Sequence, residues 1–424
     1  VNRPVDLAGV GIGPFNLSLA ALAVRVPDLE AVFFDRRPEF RWHPGLLIEG
    51  TTLQVPFLAD LVSLADPTSE LSFLNYLRAK DRLFPFYFSE RFHIPRAEYD
   101  DYCRWASERL PSCRFGRTVA DVRWNTGEQA FSLSFEEGEP VLARNVVLGV
   151  GTSPRVPEAL RHLADDPGVL AVHSADYLDA REELLAAPSV TVLGSGQSGA
   201  EVFLDLLRAR PHGLRWLSRT RSFAPMEYSK LGLEQFTPDY TDYFHGLPEP
   251  VRDRLVPSQW QLYKGIDAET IAAIHDELYE LSIGGAWPSV TLTPGVEVVG
   301  AGYADGGIEL RVRHPEQGSA ATVHTGAVVA ATGYTETLAP FTGDCARDGS
   351  GRPVIGRDHR LALPPEVTGS LFVQNAERHT HGVGAPDLGL AAWRSARILN
   401  AISGRTVYPL PERTAFTTFG LEGS

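Results

Sequence analysis

Cysteine is scarce in this 424-residue chain, with only Cys103, Cys113 and Cys345 present. No Cys-x-x-Cys pair exists, so a disulfide framework and a redox-active cysteine pair are both excluded, and a reducing compartment is expected. Positive charge is also short. Lys and Arg number 39 against 53 Asp and Glu, a formal net charge of −14. Such a surface repels phosphate backbones and argues against a general nucleic-acid binder. No apolar run approaches the roughly 18–20 residues of a membrane span. The first residues show no basic stretch followed by an apolar one, so a cytoplasmic protein is expected. No cluster of Cys, His and carboxylates has metal-ligand spacing, and no metal is expected.

What remains is ordinary globular material, 43% hydrophobic and 22% charged, long enough for two or three domains. The apolar run Val5–Val10 ends in Gly11-Ile-Gly13-Pro14-Phe-Asn16 and is followed by helix formers. A second apolar run, Ala31–Phe34, stops at Asp35. The pattern returns at Ser189–Leu193, with Gly194-Ser195-Gly196-Gln197-Ser198-Gly199, a helix expected from Ala200 to about Arg208, and a strand at Gly213–Leu217. Two strand–glycine turn–helix units, about 180 residues apart, predict an α/β protein with two Rossmann-like dinucleotide-binding domains.

In such a turn the first glycine permits the bend and the second admits the pyrophosphate. The third lets helix and strand approach, and the helix N-terminus faces the phosphates. Asn16 stands where a third glycine is usual. The residue after the second strand separates the two sites. Asp35, 24 residues after Gly11, can accept hydrogen bonds from an adenosine ribose. The matching stretch of the second unit is Ser218-Arg219-Thr220-Arg221, whose cations suit a 2′-phosphate. FAD is therefore expected at the first turn and NADPH at the second.

Residues 1–157 and 335–424 are expected to form the FAD domain, and 166–222 with 288–334 the NADPH domain. Residues 223–287, aromatic and polar with helical spacing around Ile271 to Leu281, form a smaller, mainly helical substrate-binding insertion. Alternating patterns over 295–325, with a turn at Asp305-Gly306, return to sheet. Two dinucleotide domains leave a disulfide reductase, an electron-transfer reductase or a monooxygenase, and the missing cysteine pair removes the first.

The segment after the first unit reads Phe40-Arg-Trp42-His43-Pro-Gly45, then Gln54-Val-Pro-Phe57-Leu-Ala59-Asp60-Leu-Val, and later Arg96-Ala-Glu98-Tyr99-Asp-Asp-Tyr102-Cys-Arg-Trp105. Together with both glycine turns, Ala331-Thr332-Gly333-Tyr334, His381-Gly382 and Asp387-Leu388, it resembles the lysine/ornithine N-monooxygenases of siderophore biosynthesis over essentially the whole chain. That resemblance implies reduction of FAD by NADPH and addition of O2 at flavin C4a. A neutral primary amine then attacks the distal oxygen of the resulting hydroperoxide. No protein nucleophile is required. Trp42, His43, Gln54 and Leu388 match positions that line the flavin, with Gln54 the candidate closest to the chemistry. Thr332 and Gly333 match the NADPH side, and a homo-oligomer, a tetramer in relatives, is implied.

Departures from the family bear on the substrate. Amino-acid hydroxylases carry a lysine in the stretch that here reads Phe57-Leu58-Ala59-Asp60-Leu61-Val62, where it pairs with the substrate α-carboxylate. Asparagines that hold the amino-acid head group in ornithine enzymes are also missing from the stretches around Glu234 and Tyr263. Loss of a partner to a buried carboxylate costs about 3–5 kcal/mol; a diamine has no carboxylate to lose. The reading is a diamine substrate, cadaverine or putrescine, with Ala59, Tyr263, Glu234 and Asp387 at the substrate and the two carboxylates, or Glu227, as candidates for its distal ammonium. The alternative is an L-lysine N6- or L-ornithine N5-monooxygenase in which Lys264, Lys230 or an arginine takes over the lost role.

Overall fold

A computed structural model describes residues 3–304, 306–336, 338 and 345–421. Two sheets dominate, the first mixed and the second parallel. In the first, the order is Cys113–Arg114, Ala31–Phe34, Val5–Val10, Val141–Leu148, Ala130–Phe135 and Val119–Asn125, with Ser370–Val373 also pairing to Val141–Leu148. The register shows how one strand serves two neighbours on one side. Val141 to Ala143 face the antiparallel strand Ala130–Phe135, while Asn145 to Leu148 take the parallel strand Ser370–Val373. The strands Val5–Val10 and Val141–Leu148 are therefore central, and their C-terminal portions are apolar and buried, as burial on both faces requires.

The second sheet runs Ser289–Pro294, His212–Ser218, Val190–Leu193, Ala327–Ala330, Ala171–His173, parallel throughout. Beside it lies an antiparallel meander, Glu297–Ala304, Gly307–His314 and Ser319–Thr325. Gly306 precedes the second of these strands, and Asp305 lies outside the described residues. Residues Thr152–Pro154 form a short strand antiparallel to Tyr334–Glu336. These two strands are the outward and return crossings between the sheets.

The first core gathers the helices Pro14–Ala23, Arg96–Ser107 and Ala391–Ser403 against their sheet through Leu17, Leu22, Phe33, Tyr99, Tyr102 and Leu399. Tyr99, Tyr102 and Trp105 are buried on one face of their helix, which makes them packing residues. The second core is centred on Phe203 and Trp216, whose rings stack at 4.8 Å. Its helix spans Gln197–Ala209, three residues earlier than the pattern marks, because the turn ends at Gly196. Leu46 and Ile48, close to the first unit in sequence, also pack into this second core.

Residues 223–287 are largely helical, with helices Pro238–Gly246, Glu249–Ser258 and Ala268–Leu281. Their packing divides them. Ile274 joins the second core, whereas Tyr240, Phe244 and Leu262 form a small core with Val383.

Candidate functional site

At the first turn Gly11 has φ +87°, and a Cβ there would lie 2.4 Å from the Gly149 carbonyl oxygen. Gly13 is different: a Cβ would meet nothing within 4 Å. The space before the helix Pro14–Ala23 is thus open, and no side chain caps that helix. Pro14 occupies its first turn and removes one donor that would otherwise be unpaired. Asn16 is fully buried and holds the turn from behind. Its Nδ2 donates to the Gly11 carbonyl at 2.8 Å and to that of Val10 at 3.1 Å, and its Oδ1 accepts from Gln374 Nε2 at 2.9 Å. Asn16 therefore shapes the cradle and does not line it. Asp35 Oδ2 accepts the Ile12 N–H at 2.7 Å and Oδ1 the Arg37 N–H at 2.8 Å. A carboxylate has further lone pairs, so Asp35 stands at the turn with acceptor capacity to spare.

The Trp42-His43 segment joins the two halves. Trp42 N–H donates to Asp100 Oδ1 at 2.7 Å, and its ring meets Tyr99 edge-on at 5.0 Å. His43 has φ +46°, and its ring lies 5.7 Å from that of Tyr334. A Cβ on Gly45 would come within 1.8 Å of the Ala175 carbonyl oxygen, so this segment is pressed against the second half of the molecule. His43 keeps accessible surface, yet burial, aided by the charges of Arg96 and Arg37, pulls its imidazole down to about 4. A side chain both crowded and accessible lines a cleft.

Three polar atoms in this region are buried without a partner among the described residues: Gln54 Nε2, Tyr334 Oη and Asn375 Oδ1. Burial pushes the Tyr334 phenol up to about 12, so it remains a donor at neutral pH. Buried polar groups are normally paired, and an orphan beside a cleft marks a group that a ligand completes. The sequence reading finds Gln54 and misses the other two. The signal for Asn375 is slight: an Asn two residues past the apolar strand Ser370–Val373, with φ +63°.

The second turn repeats the first with different surroundings. Gly194 has φ +120°, and a Cβ there would lie 2.1 Å from the Ala331 carbonyl oxygen; on Gly199 it would lie 2.5 Å from that of Gly194. Gly196 has room, its nearest neighbour the Lys264 carbonyl oxygen at 3.8 Å. Ser195 and Ser198 sit half-buried between these glycines.

Three expected ligand side chains are taken up by scaffold contacts. Gln197 donates to Glu201 Oε1 at 2.8 Å and Thr270 Oγ1 at 3.1 Å, and it accepts the Asp267 N–H at 2.7 Å. It thus fastens the start of the helix Ala268–Leu281. Ser218 is buried, its hydroxyl 2.6 Å from that of Thr220. Thr332 donates to the Arg155 carbonyl, and the Gly333 carbonyl accepts the Arg155 N–H at 2.9 Å, so both tie down the crossing strand.

The cations behave otherwise. Arg221 is held by Glu316 at 2.7 Å, while Arg219 is exposed and makes no hydrogen bond or ion pair among the described residues. Burial and then the charges of Arg378, Arg155 and Arg219 lower the Lys264 ammonium from its usual range. In a chain of net charge −14, Lys264, Arg155 and Arg219, with Arg378 held by Glu336 at 2.8 Å, concentrate positive charge that suits an anion.

The substrate candidates separate. Ala59 is buried, 5% exposed, on the loop that carries Gln54, and its N–H donates to the Pro56 carbonyl at 2.8 Å. Tyr263 donates to the Val256 carbonyl at 3.1 Å, and the guanidinium of Arg378 and the ammonium of Lys264 each sit 5.3 Å from its ring. This places it with the basic cluster. Asp387 Oδ1 accepts the Gly389 N–H at 2.7 Å, and burial raises its carboxyl to about 6. Leu388 begins the turn that Asp387 caps and packs against the first core. Glu234 corrects the expectation. It accepts the Phe416 N–H at 2.9 Å, the Thr417 N–H at 2.8 Å and the Thr417 hydroxyl, so it clamps the C-terminal tail. Those bonds hold its pKa below the usual carboxylate range. Glu227 is likewise satisfied by Ser229.

The two turns, with open space at Gly13 and Gly196, together with the buried, unpartnered Gln54 Nε2 and Tyr334 Oη donors and the Asn375 Oδ1 acceptor, have room and chemistry for two dinucleotides. Comparison with known proteins agrees. Residues 3–336 match the family model for L-lysine 6-monooxygenase/L-ornithine 5-monooxygenase. The chain is 46% identical to a rhizobactin siderophore biosynthesis protein of Rhizobium meliloti, covering 99% of this chain and 96% of that one. It is 42% identical to a putrescine N-hydroxylase of Shewanella oneidensis, over 98% and 84%. The crystal structure of an FAD-bound cadaverine monooxygenase of Erwinia amylovora superposes with a TM-score of 0.94 at 39% identity, covering 100% of both chains.

Proposed function

The chain belongs to the L-lysine 6-monooxygenase/L-ornithine 5-monooxygenase family, and from that premise we propose that it N-hydroxylates one terminal amine of an aliphatic diamine, cadaverine or putrescine. The reaction uses FAD, NADPH and O2 and serves hydroxamate siderophore biosynthesis in the cytoplasm. The observation that carries the diamine reading is Ala59, a buried methyl where the amino-acid hydroxylases keep a lysine. Without that cation an α-carboxylate entering the cleft would be uncompensated there, whereas a diamine brings none. Lys264 is a poor replacement, because its charge adds to the cluster around Gly196.

On this reading residues 1–157 and 335–424 hold FAD, and 166–222 with 288–334 hold NADPH. Gly11, Gly13 and the uncapped helix at Pro14 receive the FAD pyrophosphate. Asp35 receives the ribose, and Trp42, His43, Gln54 and Leu388 border the ring system. Gly194, Gly196 and Gly199 receive the NADPH pyrophosphate, with Arg219 at the 2′-phosphate. Bound FAD, reduced by NADPH, supplies the means to activate O2 and pass one oxygen atom to nitrogen. The protein's part is positioning, exclusion of water and control of protons. Gln54 Nε2 offers a donor that nothing else uses. Trp42 and Tyr99 close one wall with packed rings. An amine beside His43 meets the same burial and the same Arg96 charge that keep that imidazole neutral, and both favour the unprotonated, nucleophilic amine.

The test is NADPH-dependent hydroxylamine formation with cadaverine, putrescine, lysine and ornithine in parallel, with peroxide release measured alongside. Diamine turnover well above that of either amino acid is expected; robust lysine turnover with little diamine turnover would overturn the substrate reading.

A further inference from the structure

Among the described residues, the chain beyond the helix Ala391–Ser403 forms no further helix or strand, yet it is fixed at two points. Close to the helix, Asn400 Oδ1 accepts the N–H groups of Val407 and Tyr408 at 2.8 and 2.9 Å. The Tyr408 hydroxyl donates to the Leu22 carbonyl at 2.6 Å, in the helix that follows the first glycine turn. Further on, two carboxylates take up the backbone. Asp239 Oδ2 accepts the N–H groups of Thr414 and Ala415 at 3.0 and 3.1 Å. Its Oδ1 accepts the Thr414 hydroxyl at 2.7 Å, and its own N–H donates to Thr414 Oγ1 at 3.2 Å. Glu234 accepts the next two amides, those of Phe416 and Thr417. Consecutive amides from 414 to 417 thus end on two carboxylates, which make stronger bonds than neutral acceptors. Phe419 then meets the Tyr240 ring edge-on at 5.0 Å and stacks on Tyr243 at 6.0 Å.

What the tail holds borders the cleft. Glu234 lies in the turn Gly232–Phe236, at the end of a loop that begins where the Glu227 N–H donates to the Gln261 carbonyl at 3.0 Å. Leu231 and Leu233 between these points are 69% and 37% exposed, so burial does not fix the loop. Tyr228, on the same loop, is half-buried. Burial and then Asp267 raise its phenol, and the charges of Arg96 and Asp387 also act on it; Arg96 is the charge that His43 feels. Asp239 lies in the first turn of the helix Pro238–Gly246, which packs on the turn Gly382–Gly384. A Cβ on Gly382 would lie 3.0 Å from the Phe244 ring, and one on Gly384 3.5 Å from the Thr241 hydroxyl. Asp387 and Leu388 lie just beyond that turn.

On the reading of this chain as an amine N-hydroxylase, we propose that residues 413–419 are a strap for the amine site. Glu234 and Asp239 are its positioning residues, holding the Tyr228 loop and the helix Pro238–Gly246 against the cleft. Transfer of oxygen to the amine needs a held substrate and excluded water. Reduction of the flavin by NADPH depends on the two glycine turns, which the strap does not hold.

A chain shortened to end at Glu412, and the full chain with Glu234→Ala and Asp239→Ala together, test this in FAD-loaded form. Each is measured with whichever of cadaverine, putrescine, lysine and ornithine the wild type hydroxylates fastest. A preference for lysine would then overturn the diamine reading and leave this comparison intact. KM for the amine is expected to rise about tenfold, and hydroxylamine formed per NADPH to fall, with peroxide making up the difference. FAD content, KM for NADPH and the rate of anaerobic flavin reduction should match wild type. Glu234→Gln keeps one oxygen as an acceptor and should fall between wild type and Glu234→Ala. Wild-type KM for the amine and wild-type coupling in the shortened chain would overturn the proposal. So would loss of FAD, or flavin reduction slowed as much as amine turnover, in both variants, because the tail would then serve the whole fold.

Discussion

The Arg96 guanidinium meets the Glu201 carboxylate at 2.7 Å across 105 residues of sequence. Their side chains are 13% and 4% exposed. Arg96 opens the helix that packs on the first sheet, and Glu201 lies in the helix behind the second glycine turn. The pair therefore fastens one half of the molecule to the other beside His43, whose imidazole also feels the Arg96 charge. Burial raises the Glu201 pKa, and the bonds from Arg96 and Gln197 offset that. Replacing Arg96→Met would leave a buried carboxylate with only Gln197 to hold it. Removing one partner of a buried pair costs about 3–5 kcal/mol, so a clear fall in unfolding temperature is expected. Adding Glu201→Leu should recover part of the loss, and equal stability of wild type and Arg96→Met would show that the pair does not fasten the two halves.

Removing Arg219 should affect the nicotinamide cofactor that carries a 2′-phosphate and spare the one that does not. A charge-assisted hydrogen bond is worth about 1.5–3 kcal/mol, and exposure to solvent reduces this. Arg219→Ala is therefore expected to raise KM for NADPH about tenfold, with a smaller effect at high salt, and to leave KM for NADH nearly unchanged. Arg221→Ala should do much less, because Glu316 already engages that side chain. Steady-state kinetics with both cofactors separate these outcomes.

The glycine turns were legible because their geometry excludes other residues. Gly11 and Gly194 combine positive φ with a backbone oxygen where a Cβ would stand, and such positions leave a fixed mark in sequence. Asp35 was legible by spacing, although its bond to the Ile12 N–H was not. Glu234 misled for a physical reason. A carboxylate in a polar segment reads as a partner for a cation, but the amides that occupy it lie 182 and 183 residues away. Gln197 and Ser218 sit at ligand positions of their motif and turn inward, since an amide or hydroxyl serves the scaffold as readily as a ligand. The aromatic wall at Trp42 and Tyr99 was visible as motif and helical spacing; the orphaned hydroxyl of Tyr334 depends on a crossing strand that composition does not reveal.

Asp387 gives a pH dependence with a definite sign. Its carboxyl is raised from 3.8 to about 6 by burial, against the Gly389 N–H and the Arg394 charge that favour ionisation. A carboxyl raised in the fold contributes stability at pH below its unfolded value, and that contribution is lost as pH rises through about 6. The difference of about two units corresponds to at most about 3 kcal/mol. Asp387→Asn keeps an oxygen for the Gly389 N–H and carries no charge. It should match wild type near pH 4 and exceed it in unfolding temperature at pH 8. A variant less stable than wild type at pH 8 would show that the ionised carboxylate is favoured in the fold.

Restoring the cation at Ala59 probes the substrate reading most directly. The methyl is buried on the loop of Gln54, so a lysine there must extend its stem along apolar surface and deliver its ammonium into the cleft. For a diamine that ammonium is a like charge near the distal end; for lysine or ornithine it meets the α-carboxylate. Like and opposite charges at 4 Å differ in sign and amount to about 4 kcal/mol at an effective dielectric of 20. Even a quarter of that is about a fivefold change in each direction. Ala59→Lys is expected to raise KM for cadaverine or putrescine by about five- to tenfold and to improve kcat/KM for lysine by a similar factor. FAD content and unfolding temperature should be followed in the same preparations, because a lysine that fails to reach the cleft would destabilise the fold. A stable, FAD-loaded variant with wild-type KM for every amine would place Ala59 away from the substrate and remove the main support for the diamine.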